Sequence, residues 1–384
     1  MLKNLWYVAR PTSAVGSQPV HARLLGQDLV LFRGSDGRVA CLSDVCIHRG
    51  ASLSRGAVAD GCVECPYHGW RYAPDGRVTR IPAEPGLKIP ARARVDSYPT
   101  HEQHGWIWVF IGDLPESQRP APPAMPECDD PSIRWIQGSW DWKANYHRVV
   151  ENGLDFAHAP FVHGSAFGDR NNPGIDDFSV EEGESGARSR MVMRVPRNIR
   201  GLWSFLYREK VTVVESRPWY DVNGPVVGLE LFPRPGWQIW LRSAHTPVDE
   251  DTTRTWWMMG RNFMKAAMFD KDSVKRNLKI FQQDTVVLEK IKPEQVPDSW
   301  REELTVRTDA LQVSYRRRVR AMEARGWKVD TARIDAEFRG RRACVLPSPA
   351  RADVNEPFVL ETVPFTIASA AQSRPAARSA ESLT

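Results

Sequence analysis

Two short segments near the start of the chain each pair a cysteine with a histidine. Cys46 and His48 lie in C-I-H-R-G, and Cys65 and His68 lie in C-P-Y-H-G-W. The glycines and the proline beside them favour tight loops, which could turn each thiolate and imidazole toward one point. Two thiolates on one iron and two imidazoles on the other bind a [2Fe–2S] cluster of raised reduction potential. The spacing therefore predicts a one-electron centre with these four ligands.

A structural zinc site is the alternative for the same region. Cys41, Cys46, Cys62 and Cys65 have the spacing C-x4-C followed by C-x2-C, which would suit zinc. Zinc would leave the histidine of each loop without a role. Cys41 also lies in an apolar segment typical of a buried strand, where a thiol is usually inert. We therefore favour the iron–sulfur interpretation, with Cys41 and Cys62 as bystanders.

A second group of polar residues belongs to a helix-compatible stretch, Trp142–Ala157, and the residues just after it. Asn152, Asp155, His158 and His163 form the pattern N-x-x-D-x-x-H-x4-H. Asp155 and His158 are spaced to be neighbours on one helix face. The proline two residues after His158 favours a helix end, so His163 could turn back toward His158. The alternative is an ordinary solvated helix face with two surface histidines.

A carboxylate later in the chain decides between these alternatives. Asp284 falls on the apolar face of a helix predicted over Asp270–Ile291. The apolar residues of that face are Val274, Leu278, Phe281, Leu288 and Ile291. A carboxylate there requires either a Lys or Arg from a helix end or a bound metal. Two histidines and one carboxylate are the Fe(II) ligands of many oxygenases, and they leave coordination positions open. Zinc on the same ligands would serve hydrolysis, for which a one-electron centre has no use.

Four segments of different composition divide the chain. Residues 1–112 contain short strand-like runs and glycine turns, which indicate an all-β domain. Residues 113–131 hold six prolines and predict an extended linker. Residues 132–346 combine helical stretches with an antiparallel sheet around 188–259, which indicates an α+β domain. Residues 347–384 are rich in Ala, Ser, Pro and Arg, and they predict an extended or disordered tail.

Composition excludes several classes of protein. The chain has 384 residues, of which 42% are hydrophobic and 26% charged, and its net charge is +5. A small charge spread over the whole length does not indicate nucleic-acid binding. No apolar run approaches the ~20 residues of a membrane span, and the first residues lack the apolar region of a signal peptide. Six cysteines are too few for a disulfide scaffold. We therefore expect a soluble, cytoplasmic protein.

Both groups of motifs resemble those of one known family. The paired C-x-H-R-G and C-P-Y-H-G-W motifs resemble the Rieske domain of aromatic ring-hydroxylating, non-haem iron oxygenases. N-x-x-D-x-x-H-x4-H resembles the catalytic motif of their α-subunits, and Q-D-T-V-V-L-E resembles the vanillate O-demethylase and dicamba monooxygenase branch. The resemblance implies that His158, His163 and Asp284 are the mononuclear iron ligands. It also implies that Asp155 bridges to the Rieske histidine of a neighbouring subunit, and that Asn152 lines the iron site.

The resemblance further implies an architecture, a reaction and partners. The fold would be an all-β Rieske [2Fe–2S] domain followed by an α+β, helix-grip-like catalytic domain with a curved antiparallel sheet, assembled as a homotrimer. The reaction would be monooxygenation of a small aromatic compound, for example a carboxylate, by hydroxylation or by O- or N-demethylation. Electrons would come from NAD(P)H through a separate flavin and iron–sulfur reductase or a ferredoxin, because the chain lacks a G-x-G-x-x-G motif.

Two other functions remain as alternatives. A cis-dihydroxylating aromatic dioxygenase would use the same residues. A Rieske electron-transfer protein without oxygenase activity would need only the first motif pair, and would leave the rest of the chain and Asp284 without explanation.

The substrate pocket is the part that the sequence defines least. Trp203, Phe205, Trp237 and Trp240 could line a flat pocket, but each could equally belong to the core of the sheet, which is the commoner role. His245 could contact a substrate carboxylate, although a single histidine in a strand is more often structural.

Overall fold

The computed structural model describes residues 1–164, 169–196, 211–352, 354 and 357–367. Its first domain is all-β, with strands β1 Leu5–Pro11, β2 Val20–Leu24, β3 Gln27–Arg33, β4 Val39–Ser43, β5 Ala57–Ala59, β6 Cys62–Glu64, β7 Arg71–Tyr72, β8 Val78–Arg80, β9 Ser97–Tyr98, β10 Thr100–Gln103 and β11 Trp106–Ile111. They form three antiparallel sheets in the orders β1-β11-β10, β2-β3-β4-β9 and β5-β6-β7-β8. The predicted all-β fold of this region is confirmed.

A tight turn holds the β5-β6-β7-β8 sheet in register. Asp60 and Gly61 join β5 to β6, and both have positive φ, 53° and 70°. Such a pair matches the twist of antiparallel strands. A side chain at Gly61 would also collide with the backbone of Ser35, which lies 2.4 Å from the Cβ position. The sheet therefore provides a rigid base for the loops before β5 and between β6 and β7, which carry the Cys–His pairs.

The proline-rich segment Asp113–Pro131 lies against both domains. It is extended apart from two short 3-10 turns. Met125 is fully buried among tryptophans of both domains, and the carbonyl of Pro120 accepts a hydrogen bond of 2.7 Å from Trp6 Nε1. The segment is thus a strap that packs on both domains. Its prolines prevent regular secondary structure, so its backbone carbonyls are free to accept hydrogen bonds from side chains.

The second domain contains one large antiparallel sheet. Its described strands lie in the order β12-β18-β17-β16-β15-β14-β13. They are β12 Arg134–Trp142, β13 Ile175–Glu182, β14 Gly186–Pro196, β15 Val211–Asp221, β16 Val226–Arg234, β17 Trp237–Pro247 and β18 Thr253–Arg261. The predicted α+β class is confirmed.

The helices of this domain are fewer and mostly short. They are α1 Tyr146–Leu154, α2 Ala159–Val162, α3 Asp270–Leu288, α4 Ala310–Glu323 and α5 Thr331–Glu337. The helix expected over Trp142–Ala157 is shorter because Trp142 ends β12, and the side chain of Asn145 caps α1 by accepting a hydrogen bond from the amide of His147. No helix in the described part of the chain is long and apolar enough to cross a membrane.

One hydrophobic core joins the two domains. Tyr7 of β1, Tyr146 of α1 and Tyr315 of α4 are buried in a single cluster of side chains. At the same boundary, the hydroxyl of Thr246 on β17 donates a hydrogen bond of 2.7 Å to the carbonyl of Val8. The first domain is therefore packed firmly against the second.

The segment after residue 346 differs from the extended or disordered tail predicted for 347–384. Its described part packs on the rest of the protein: strand β20, Glu361–Thr362, pairs in parallel with β19, Cys344–Val345, and Val363 is buried. Residues 368–384 lie outside the described part of the chain.

A buried ion pair anchors this segment to the first domain. The carboxylate of Asp96 is completely buried and accepts two hydrogen bonds from Arg351, of 2.7 and 2.6 Å. The hydroxyl of Ser348 donates a third, of 2.8 Å. This ion pair joins residues that are 255 positions apart in the sequence, so the composition of the segment alone could not reveal it.

Replacing Arg351 by alanine should lower the free energy of unfolding by about 3 kcal/mol, because Asp96 would stay buried without its cation. The control is Arg92→Ala, which removes an exposed arginine and should cost less than about 0.5 kcal/mol. Urea unfolding followed by circular dichroism measures both values. Equal stability of the two variants would contradict the anchoring role of the ion pair.

Candidate metal centres

The two Cys–His loops share one backbone design. In each, the cysteine N–H donates to the carbonyl five residues later, and the N–H of the glycine four residues later donates back to the cysteine carbonyl. The N···O distances are 2.8 and 2.8 Å around Cys46, and 2.8 and 3.0 Å around Cys65. Gly50 and Gly69 have φ of 74° and 68°, a conformation that glycine adopts without strain. The loops therefore present their cysteines in equivalent ways.

The thiols of both loops are buried and face each other. Burial raises the pKa of the Cys46 thiol, and the neighbouring Cys65 adds to that effect. Hydrogen bonds from the Tyr72 hydroxyl, 3.0 Å from Cys46 Sγ, and from the amide of His48 act in the opposite direction. Donors aimed at a sulfur stabilise a thiolate, which is the form that binds iron.

The two imidazoles lie together on the outer side of the thiols. The rings of His48 and His68 have centroids 4.5 Å apart, and His48 stacks on Trp70. His48 Nδ1 is buried without a hydrogen-bond partner, whereas His68 is exposed beside Tyr67. A buried ring nitrogen without a partner is satisfied when it binds a metal. The four side chains therefore fit the ligand set of a [2Fe–2S] cluster.

The cysteines of the zinc alternative do not converge. Cys41 belongs to the core that joins the domains, while Cys46 and Cys65 belong to a separate core beneath the loops. Cys62 lies on β6 near the hydroxyl of Thr79. Among the described residues, no set of three or more cysteines comes within reach of one ion.

His158, His163 and Asp284 do converge. Their ligand atoms all lie within 4.8 Å of one another. Asp284 Oδ1 is 3.1 Å from His163 Nε2 and 3.5 Å from His158 Nε2, and the two nitrogens are 3.2 Å apart. Asp284 Oδ1 is nevertheless buried without a well-formed hydrogen bond. Three ligand atoms that surround one point in this way fit a single Fe(II) ion.

Three helices place these ligands. Helix α1 ends at Leu154, and the carboxylate of the next residue, Asp155, accepts a hydrogen bond of 2.7 Å from the amide of Ala157. This hydrogen bond fixes the turn that follows. The single turn of α2 then brings His163 back beside His158. The preceding helix was expected to end because of Pro160, but it already ends at Leu154, and Pro160 lies in the first turn of α2. Helix α3 packs its Phe281 against Trp142 of β12 and carries Asp284 to the same point.

The second nitrogen of each imidazole also lies close to a side-chain oxygen. Asp155 Oδ2 lies 3.3 Å from His158 Nδ1. Although burial disfavours the charged ring, the carboxylates of Asp155 and Asp284 raise the pKa of His158. His163 Nδ1 lies 3.0 Å from Gln283 Oε1. Such contacts fix the orientation of ligand rings. The sequence did not identify Gln283, whose only signal was its place beside Asp284.

A mostly apolar cavity adjoins the three ligands. Asn152, which the family resemblance places at the iron site, and His245 both line this cavity. Trp237 stacks on Phe263 instead, and neither Trp237 nor Trp240 is among the described residues of its wall. Trp203 and Phe205 lie outside the described residues. The strands β16 and β17 supply aliphatic side chains to the wall, and β12, α3 and the segment around α1 supply further apolar ones. They are Val227, Leu229, Leu231 and Leu241 from the two strands, and Trp142, Val149, Phe156, Ile280 and Phe281 from the rest.

Comparison with known families agrees with both centres. Residues 5–99 match the Rieske [2Fe-2S] domain, and residues 142–325 match the vanillate O-demethylase oxygenase C-terminal domain. The chain belongs to the Rieske oxygenase family. The predicted resemblance is thereby confirmed, and so are the two predicted cofactors, since the first domain is a [2Fe–2S] domain and the oxygenase domains of this family use mononuclear iron.

Individual relatives within the Rieske oxygenase family agree with this assignment. The chain is 32% identical over 196 residues to the vanillate O-demethylase oxygenase subunit of a Pseudomonas species, covering 50% of this chain and 54% of that protein. It is 35% identical over 162 residues to the dicamba O-demethylase oxygenase component of Stenotrophomonas maltophilia, covering 42% and 48%. The chain thus spans about half the length of these curated relatives. The structure of Pseudomonas putida NdmA with caffeine superposes with a TM-score of 0.71 at 25% identity, over 84% of this chain and 91% of that one.

Replacing Asp284 by alanine should release the mononuclear iron and leave the Rieske cluster intact. Iron content should fall from about three atoms per chain to about two, with an unchanged Rieske absorption spectrum. The control is Asp272→Ala, which removes an exposed carboxylate from the same helix. Iron counts by colorimetric assay that are equal in the two variants would contradict the ligand role of Asp284.

Proposed function

We propose that this chain is the oxygenase component of a multicomponent Rieske system. It uses O2 and electrons from a separate reductase to monooxygenate a small aromatic compound, by hydroxylation or by O- or N-demethylation. The observation that carries the proposal is the convergence of His158, His163 and Asp284 beside an apolar cavity, in a chain that also contains a Rieske domain. The names of the two relatives, both O-demethylases, support demethylation.

The side chains around the ligands would prepare the site for this reaction. An Fe(II) ion held by the two histidines and the carboxylate would supply O2 activation, because such a ligand set leaves coordination positions open. Asp155 and Gln283 would hold the two rings in fixed orientations. The apolar wall would exclude water and hold a flat apolar ring by contact.

Both ends of the proposed electron path face outward in a single chain. His68 is exposed on its loop. Asp155 lies in a surface groove together with two exposed apolar residues, Val287 and Leu304, the latter 94% exposed. If Asp155 accepts a hydrogen bond from His68 of the partner subunit, it orients the imidazole of each centre. The contact joins two different surfaces, so repeated copies form a ring where the rotation between neighbours closes. The family resemblance implies a ring of three, a homotrimer.

Electrons would enter through another protein. The sequence has no G-x-G-x-x-G motif with which to bind a dinucleotide. An NAD(P)H-dependent flavin and iron–sulfur reductase, or a ferredoxin, fits this role. The words "oxygenase subunit" and "oxygenase component" in the names of the relatives support such a division of labour. A pure electron carrier would leave the three converging ligands without a use.

The test is turnover with a surrogate reductase, NADH and a panel of small aromatic methyl ethers and N-methyl compounds. We expect O2 uptake that depends on the compound and releases formaldehyde. Asp155→Ala should keep both metal centres and lose coupled turnover by about 100-fold, whereas the exposed-acid control Asp251→Ala should not. Diol formation without formaldehyde would favour dihydroxylation, and full activity of Asp155→Ala would refute the bridging role.

A further inference from the structure

Polar side chains without partners lie in the wall of the cavity beside the proposed iron ligands. Apart from the ligands and the turn that holds Asn152 and Asp155, the described polar residues of this wall are Ser243, His245 and Asn277. His245 and Asn277 are each only 4% exposed. Within the described part of the chain, His245 Nε2 and Asn277 Nδ2 have no hydrogen-bond partner. Buried polar atoms are rarely left without one, which points to a ligand that supplies it.

A chain of hydrogen bonds sets which atom of His245 carries the proton. Trp142 Nε1, which can only donate, lies 2.7 Å from the hydroxyl oxygen of Thr255. The same oxygen lies 2.8 Å from His245 Nδ1. Thr255 is fully buried, so its own proton is satisfied when it donates to His245 Nδ1. A neutral imidazole then carries its hydrogen on Nε2.

The ring of His245 is neutral. Burial lowers its pKa to about 3, so at neutral pH it does not become a cation. His245 Nε2–H is therefore an uncharged hydrogen-bond donor.

Asn277 provides a second donor of the same kind. It lies on α3 seven residues before Asp284, on the face that packs toward the cavity. An amide NH2 group donates hydrogen bonds and carries no charge. The cavity therefore offers two neutral donors, one from β17 and one from α3.

We propose that His245 and Asn277 recognise the substrate, and that this substrate is an uncharged aromatic compound bearing a hydrogen-bond acceptor such as a carbonyl oxygen. The inference rests on the proposed oxygenase function. The described cavity-lining residues include no lysine or arginine. A carboxylate that enters this cavity loses its hydration without gaining a cationic side chain from them, which is costly. A neutral carbonyl group loses less hydration free energy than a carboxylate, and its oxygen can accept hydrogen bonds from the two donors.

Anaerobic titration calorimetry on the iron-loaded protein tests the proposal without turnover. Three ligands of similar shape serve as probes: 4-methoxyacetophenone, which is neutral with a carbonyl; 4-ethylanisole, which lacks the carbonyl; and 4-methoxybenzoate, which is an anion. We expect the ketone to bind about tenfold more tightly than either of the others. Equal or tighter binding of the benzoate, equal binding of 4-ethylanisole, or no binding of the ketone would overturn the proposal.

Paired variants test the two residues. In the double variant His245→Leu/Asn277→Leu, the preference for the ketone over 4-ethylanisole should disappear. In His245→Gln/Asn277→Gln it should persist, because glutamine keeps an N–H donor at each position and can still accept from Thr255. Thermal unfolding shows whether both variants fold. If a variant does not fold, the comparison of the three probes on the unchanged protein still decides the substrate class. An unchanged preference in the leucine variant would overturn the assignment of these residues.

The outcome is separable from that of the proposed function. A protein that binds the probes as expected but consumes no O2 with reductase and NADH would refute the oxygenase proposal alone.

Discussion

A carboxylate buried on the apolar face of α3 is the constraint on which the second domain depends. Asp284 is 5% exposed, and burying a carboxylate without a cation is unfavourable. Its neighbours at ion-pair distance are the Nε2 atoms of His158 and His163. Despite this spacing, Asp284 Oδ1 forms no hydrogen bond with either nitrogen. A shared metal ion would satisfy all three at once, and the fold and the metal would then stabilise each other.

Contacts elsewhere along α3 fix the position of the Asp284 carboxylate. At the start of α3, Asp270 accepts hydrogen bonds of 2.6 Å from Arg134 of β12 and 2.7 Å from Arg261 of β18. These contacts lower the pKa of Asp270 to about 2, and a negative charge also suits the N-terminus of a helix. Phe281 packs on Trp142 one turn before Asp284. The helix is thus tied to the sheet at its start and again one turn before Asp284, and these contacts fix its rotation about its own axis.

The sequence predicted the parts of the protein whose signals are local. Both Cys–His pairs lie within loops of a few residues. Asp284 is a charged residue among the apolar positions of one helix face. Residue spacing alone was therefore enough to identify these candidate ligands. The hydrogen bonds around Thr255 could not be predicted, because Trp142 is 113 residues away in the chain and a buried threonine on a strand has no distinctive sequence pattern. The same holds for Asp96, whose partner Arg351 lies in a segment with the composition of a tail. The start of α1 was misplaced because an apolar Trp142 fits the end of a strand as well as the first turn of a helix.

The core between the domains also fixes the position of one candidate centre relative to the other within a chain. Tyr7, Tyr146 and Tyr315 are buried in one cluster that draws on the first domain and on two helices of the second, and interiors packed in this way resist sliding. The strap around Met125 and the Asp96–Arg351 ion pair add further contacts across the same boundary. Movement of one domain relative to the other would break all of these contacts together. The separation of the Cys–His loops from the His158–His163–Asp284 group within one chain is therefore set by folding.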